Sequence, residues 1–422
     1  MKKTNIDRHQ LTLGIIKCRN LQIAVNEGIK ILFGNDKPVC SSSRHPLMSG
    51  NKNFKIVKGK HTFSYLGKIH LIVAARQLFH YTTILEKLDI DLISGMLLDP
   101  MHLTDLGVTR KLFVSWIRGK YRNVKLTREK QNLLAKRIDQ VRSYIPDDFS
   151  RKLGPLDLLD RWKSTCFRMM KLRLGPVFMR DILSDNLSNN FFDFHVAMTL
   201  LSNQQESARP EIVHYCSGLL KHFIEDSIEL YGMKIVSANV HNLIHLTDDA
   251  RRFGNLDSFS AYPFENYLQI IENLVRKSAN PLPKIVKRLS EIEISQVLEP
   301  NNAQTGNGKQ YKKANFKTWK LSSKKPNNCV YLNDLFNVII ENFVKHHGQL
   351  CFIGRQFEIR DDLYRAPLRS SQLGIYVVKK PGHLKLWSLS HIKCKAFIVP
   401  SFFPGEDSLV VSPLFADINV SI

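Results

Sequence analysis

The feature that most constrains the fold is a series of segments with helical periodicity, running from Asp99 to Leu298 with few breaks. In these segments apolar residues recur three and four positions apart, which places them on one face of an α-helix. The segment "ANVHNLIHLTDDARRF" is an example, because Ser237 precedes it as a favoured N-cap and Gly254 follows it as a stop. The pattern predicts a mainly helical block.

The composition changes after Pro300. Residues 301–328 contain seven lysines and no acidic residue, which predicts a solvated basic linker. From Cys329 onward apolar residues alternate with a period of two, as in "GQLCFIGRQFEI", which predicts strands. We therefore predict an α+β, mainly α protein. Its parts are an N-terminal segment with weak patterns and an unrelated or rearranged sequence, 1–84, a helical block, 85–299, a basic linker, 300–328, and a small β-rich domain, 329–422.

The charge balance favours a polyanionic partner. Lys and Arg number 61 against 38 Asp and Glu, giving a formal net charge of +23 that is spread along the chain. Such a surface attracts nucleic acid first and anionic membrane second, and the alternative is a basic surface without a partner. No apolar stretch approaches the length of a membrane span and no signal core follows the N-terminus, so we expect a soluble intracellular protein and no membrane partner.

Cysteine usage indicates a reducing compartment. The seven cysteines are widely scattered, and no C-x-x-C motif occurs. An odd, scattered set does not predict a disulfide framework.

Three short patches could carry chemistry. Asp99 and His102 lie three residues apart in "DPMH", where a carboxylate would also serve as an ordinary helix cap. His241 and His245 share one helical face, which suits a metal ion but equally suits packed, hydrogen-bonded imidazoles. Glu265 follows Pro263-Phe264 near the start of a helix, where it would either favour the helix dipole or ligate Mg²⁺ in a two-metal nuclease.

Longer stretches around these patches resemble a known family. "IDLISGMLLDPMHLTDLGVTRKLFVSWIRGK", "VSANVHNLIHLTDDARRFGNLDSFSAYPFENYL" and "SSQLGIYVV" resemble the CACTA (En/Spm) group of transposon-encoded DDE transposases. The resemblance extends from about residue 85 to about residue 400, with D-x-x-H, H-N-L-x-H-L and F-P-F-E-like motifs in the family's order. Tyr262 stands where the family's last motif has Phe.

The resemblance implies an RNase H-like fold in which two Asp and one Glu hold Mg²⁺ or Mn²⁺, with a helical insertion before the Glu. By it, Glu265 matches the catalytic glutamate, and Asp99 and His102 match the D-x-x-H motif. His241 and His245 match a histidine pair that joins an upstream C-x-x-C around zinc in related recombinases. We therefore expect the helical block to accompany a partial RNase H-like remnant.

The departures from the family concern catalysis. Upstream of Asp99 the aspartates are Asp7, Asp36, Asp89 and Asp91, and none lies in a strand context of the expected kind. One glutamate cannot hold two metal ions, so we expect no nuclease activity from this chain alone. An active metal-dependent nuclease that recruits those aspartates, or a protein-interaction module, are the alternatives.

We predict a transposon-derived, DNA-binding protein, placed in the nucleus by its charge and by the resemblance, for which a homodimer is kept open. Trp162 could stack on an extruded base, although a core position is the simpler interpretation. The cations predicted near phosphates lie in the helical block: Arg110, Lys111, Lys120, Arg122, Arg251, Arg252, Arg276 and Lys277.

Overall fold

The computed structural model describes residues 97–120, 123–274, 285, 288, 312–315, 320–334, 336–347, 349–403 and 407–414. The segment predicted over 1–84 lies outside this range, as do Arg122, Arg276 and Lys277.

Helices occupy the first part of the described chain. Helix α1 joins a π-helical stretch, Met101–Thr109, to an α-helical stretch, Arg110–Arg118. Helix α3 likewise has a π-helical turn, Met170–Leu174, between two α-helical turns, Ser164–Met169 and Gly175–Met179. The other long helices are α2 Arg128–Val141, α4 Asp185–Ser202, α5 Pro210–Tyr231, α6 Ala238–Phe253 and α7 Tyr262–Leu274.

The start and stop signals in the sequence correspond to the observed ends of α6. Ser237 precedes the helix, and Gly254 follows it with a φ of 89°, a backbone conformation that glycine adopts without steric cost. No described helix combines the length and the apolar character needed to cross a membrane.

Helix α1 runs antiparallel to α6. Near its start, the Leu98 N–H donates to the Asp249 carboxylate at 2.9 Å. Nine residues later, Gly107 faces Asn239, and a Cβ at Gly107 would lie 2.4 Å from the Asn239 Nδ2 atom. A glycine inside a helix normally costs stability, and here it allows the close approach of the two helices.

The C-terminal part forms a closed antiparallel barrel. The barrel strands are β3 Cys329–Leu332, β4 Asn337–His346, β5 Gln349–Asp362, β6 Tyr376–Ser388, β7 Ile392–Pro400 and β8 Leu409–Pro413. Their order in the barrel is β3-β4-β5-β6-β8-β7, with β7 pairing back to β3. From Gln349 onward the predicted strand "GQLCFIGRQFEI" lies within β5, and the alternating segments that follow it form β6, β7 and β8.

The described part of the segment predicted as a basic linker, 300–328, contains a small sheet. Strands β1 Lys313–Asn315 and β2 Lys320–Ser322 pair antiparallel. Their cross-strand neighbours Ala314 and Leu321 are buried against barrel residues. Two apolar side chains among many lysines are too weak a pattern to predict strands, but burial against the barrel stabilises them.

One hydrophobic cluster contains residues of both the helices and the barrel, and two further clusters lie within the C-terminal part. His195 on α4 is fully buried, and its two ring nitrogens contact the Lys171 carbonyl at 2.7 Å and the Tyr364 hydroxyl at 2.8 Å. Burial lowers the pKa of His195 to about 4, so the ring is neutral at physiological pH. Tyr364 follows β5, so this contact joins the helical block to the barrel.

The α+β class is confirmed, as is a helical block followed by an antiparallel sheet. From residue 97 to residue 312 the described chain contains no strand, so it includes no sheet of the predicted RNase H-like remnant. That part of the prediction remains untested by the described residues.

Candidate functional site

Asp99 caps the start of α1, as the simpler interpretation predicted. Its carboxylate accepts the backbone N–H groups of Met101 and His102, both at 3.1 Å, and the His102 Nδ1–H donates to the same carboxylate. Burial disfavours the ionised form of Asp99, but hydrogen bonds from His102 and Ala261 outweigh it and hold the pKa of the carboxyl below its ordinary value. Asp99 and His102 of the D-x-x-H motif therefore hydrogen-bond to each other at the start of α1.

The same carboxylate joins the D-x-x-H motif to the segment that carries Glu265. The Ala261 N–H donates to Asp99 Oδ1 at 2.8 Å, across 162 residues of sequence. The Ala261 carbonyl in turn accepts the Glu265 N–H at 2.9 Å. Asp99 thus fixes the first turn of α7, on which Glu265 lies half-buried.

A buried ion pair lies beside this junction. Asp105 and Lys171 are each 1 % exposed, and the Lys171 Nζ lies 2.5 Å from Asp105 Oδ1. Lys171 also donates to the Thr104 hydroxyl at 2.6 Å, and the Tyr262 hydroxyl donates to Asp105 Oδ2 at 3.0 Å. Burial raises the pKa of Tyr262 well above its ordinary range, so the phenol stays protonated and remains a donor.

Sequence reasoning missed this pair, although one signal pointed to it. Tyr262 stands where the resembling family has Phe, and the added hydroxyl has a buried acceptor, Asp105. Arg168 lies over the Tyr262 ring, with its guanidinium carbon 5.6 Å from the ring centroid, and pairs with Asp257 at 2.7 Å. The departure from the family pattern is thus part of a polar network.

The histidine pair lies on the face of α6 that also carries Asp249. The rings of His241 and His245 are 5.7 Å apart between centroids, with their planes at 75°. His245 is buried and His241 is half-buried. A structural zinc site needs about four ligands. The described residues bring no third His, Cys, Asp or Glu into a ligand group with this pair, so they do not complete a structural zinc site of the kind that the resemblance implies.

Glu265 also lacks a metal-binding group within the described chain. A two-metal site requires further carboxylates close to the glutamate. Asp99 is already engaged by His102 and three backbone N–H groups, and Asp105 by Lys171 and Tyr262. The described residues therefore do not fit a pair of Mg²⁺ ions at Glu265.

The predicted DNA-contacting cations lie towards both ends of α6. Arg251 and Arg252 are exposed in its last turn, and Arg251 pairs with Asp248 at 2.7 Å. Arg110 is exposed on α1, beyond the point where Gly107 meets the start of α6, and Lys120 is exposed after α1 ends. A helix of this length spans about 24 Å, so the cations are spaced along an axis instead of forming one cluster.

Lys111 is a weaker cation than its neighbours. Its ammonium donates to the Lys234 carbonyl at 3.3 Å. Burial lowers its pKa to about 8, so part of the Lys111 population is neutral near physiological pH. Lys111 therefore does not carry a full positive charge at that pH.

Trp162 occupies a core position. It is buried between Phe113 and Phe167, and its indole N–H donates to the Pro155 carbonyl at 3.2 Å. The side chain is not available for base stacking in this conformation.

Comparison with known families gave one match. Residues 296–414, which contain the described β1–β2 sheet and the barrel, match the family described as "Domain of unknown function (DUF8592)". The match covers less than a third of the chain and does not include the helices around Asp99 and Glu265. Searches among curated proteins and among solved structures found no match.

Proposed function

We propose that the chain is a transposon-derived, transposase-like protein that binds DNA and has no strand-transfer chemistry of its own. The observation that carries the proposal is the hydrogen bond from the Ala261 N–H to Asp99. The D-x-x-H and Y-P-F-E segments, 162 residues apart, are the two that the family resemblance groups around one site, and here they are in contact. The Leu98–Asp249 hydrogen bond adds the histidine-bearing helix to the same junction.

The expected lack of strand transfer is supported by the carboxylates of the described residues. Two-metal phosphoryl transfer needs several carboxylates that are free to bind cations. Both carboxylate oxygens of Asp99 accept hydrogen bonds, from a backbone N–H and from the His102 imidazole, and Asp105 is neutralised by Lys171. The sequence upstream supplies no aspartate in a recognisable strand context. In this proposal the hydrogen bonds at the junction stabilise the packing of the helices and do not position metal ions.

DNA binding is supported by charge. The formal net charge of +23 attracts phosphates at long range, and exposed arginines towards both ends of α6 supply short-range contacts. The protein then binds the phosphate backbone of the duplex without recognising base sequence. It acts in the nucleus.

The test is the salt dependence of DNA affinity. We expect the triple variant Arg110→Ala, Arg251→Ala, Arg252→Ala to bind a DNA duplex more weakly at low salt than the wild type. The slope of log K against log salt is negative, and each lost phosphate contact reduces its magnitude by about 0.9, so the magnitude should fall by up to about 3. Fluorescence anisotropy over a salt series measures both quantities.

A matched control removes the same charge from the barrel. Lys345, Lys380 and Lys385 are exposed there, and their triple alanine variant should leave the slope nearly unchanged. Equal losses in the two variants would show that only net charge matters and would contradict the placement of the interface. A wild-type protein with no salt-dependent affinity for DNA would contradict the proposal itself and favour a protein-interaction module.

A further inference from the structure

A second polar cluster lies between α4 and α5. Asp193 on α4, and His222 and Asp226 on α5, form the group of possible metal ligands found among the described residues, with ligand atoms all within 4.8 Å of one another. His222 and Asp226 are separated by one helical turn, so their side chains share a face of α5. None of the site residues discussed above belongs to this cluster.

The two nitrogens of His222 have different partners. The Nδ1–H donates to Asp193 Oδ2 at 2.6 Å, and Asp193 is buried. The Nε2 atom faces Asp226 Oδ1 at 3.6 Å, and the His222 side chain is 61 % exposed. A buried carboxylate that accepts the Nδ1–H fixes the tautomer, so the lone pair of the neutral ring is on Nε2.

The distances from the two His222 nitrogens to their carboxylate partners differ, and only one of them leaves room for a metal ion. Two ligand atoms about 2.1 Å from a zinc ion, at a tetrahedral angle, are about 3.4 Å apart. The 3.6 Å gap between His222 Nε2 and Asp226 Oδ1 matches that separation, whereas 2.6 Å between His222 Nδ1 and Asp193 is a hydrogen bond. A carboxylate–histidine–metal arrangement requires this combination of one hydrogen bond and one open gap.

We propose that His222 Nε2 and Asp226 bind a divalent cation of the zinc class on the surface of α5, with Asp193 as the residue that orients the imidazole. Water completes the coordination, because the exposed ring leaves the outer side of the site open to solvent. An imidazole nitrogen beside a carboxylate favours Zn²⁺ over Mg²⁺, which prefers an all-oxygen octahedral shell.

The electrostatic surroundings are consistent with a cation. Hydrogen bonding to Asp193, together with the nearby charges of Asp226 and Glu225, raises the pKa of His222 above its ordinary value. The same anionic groups that attract a proton attract a metal ion.

Equilibrium dialysis of the full chain against Zn²⁺ alone, in a buffer that does not chelate it, tests the proposal. Other histidines and cysteines could bind zinc, so the informative quantity is the difference in stoichiometry between variants. We expect His222→Ala and Asp226→Asn each to bind one zinc fewer than the wild type. Asp193→Asn should weaken binding at this site by roughly 10- to 100-fold, as expected for loss of an orienting partner.

His214→Ala is the matched control, because His214 is exposed on the same helix two turns earlier. It should keep the wild-type stoichiometry. Asp226→Asn preserves the shape of the side chain and keeps the test valid if His222→Ala does not fold. The same zinc stoichiometry in the wild type, His222→Ala and Asp226→Asn would overturn the proposal and leave a plain Asp–His–Asp ion pair. Displacement of the zinc by equimolar Mg²⁺ would overturn the assignment to the zinc class.

Discussion

Replacing Lys171 by Met should lower the free energy of unfolding by about 3–5 kcal/mol, a large part of the stability of an ordinary domain. The reason is that Asp105, 1 % exposed, would keep its buried charge without its cation. The Thr104 hydroxyl would lose a partner as well. Urea denaturation followed by circular dichroism measures the change.

The double variant Asp105→Asn, Lys171→Met is the control for this prediction. It removes both charges, and the amide can still accept from the Tyr262 hydroxyl. We expect it to be clearly more stable than Lys171→Met alone, since breaking a buried pair costs more than removing it. If the single variant lost less than about 1 kcal/mol, the ion pair would not stabilise the junction beside Asp99.

Replacing Lys395 by Met should destabilise the barrel end of the molecule by about 2–4 kcal/mol. Lys395 on β7 is fully buried and ion-pairs with Asp148, which follows α2. Its ammonium also donates to the Lys320 carbonyl and to Asn327 Oδ1, both at 2.7 Å. One ammonium therefore links the helical block, the β1–β2 sheet and the barrel, and methionine satisfies none of these acceptors.

The control for Lys395→Met is Lys393→Met. Lys393 lies two residues earlier on the same strand, and its side chain is half-buried. We expect its unfolding free energy to stay within about 1 kcal/mol of the wild type. Hydrogen exchange should show loss of protection at β2 in Lys395→Met and not in Lys393→Met. Equal protection in both variants would mean that Lys395 does not hold the sheet to the barrel.

The helices were predictable because their signals are local. The ends of α6 coincide with Ser237, which makes no side-chain capping hydrogen bond, and with Gly254, and the apolar spacing along α5 needs no distant information. The strands after Cys329 follow from alternation of apolar residues. The β1–β2 sheet was not predictable, since Ala314 and Leu321 become apolar partners only when the barrel is present to cover them.

The candidate site was predictable only in part. The sequence places a cap at Asp99 and two imidazoles on one face of α6, because helical spacing fixes both. It does not show that Asp99 binds the Ala261 N–H or that Asp105 meets Lys171, because these contacts depend on the packing of distant helices. A lysine and an aspartate in a helical segment ordinarily indicate solvent-exposed positions, which is why the buried pair was missed.

The central claim is tested most directly by incubating the full chain with supercoiled plasmid in Mg²⁺ or Mn²⁺ and measuring nicking and DNA retention in the same samples. Glu265→Ala is the test variant, and Glu272→Ala, exposed on the same helix, is the matched control. We expect all three proteins to retain the plasmid, less so as salt rises, and none to nick it. Nicking by the wild type and by Glu272→Ala that disappears in Glu265→Ala would contradict the account, because Glu265 would then belong to a working metal site.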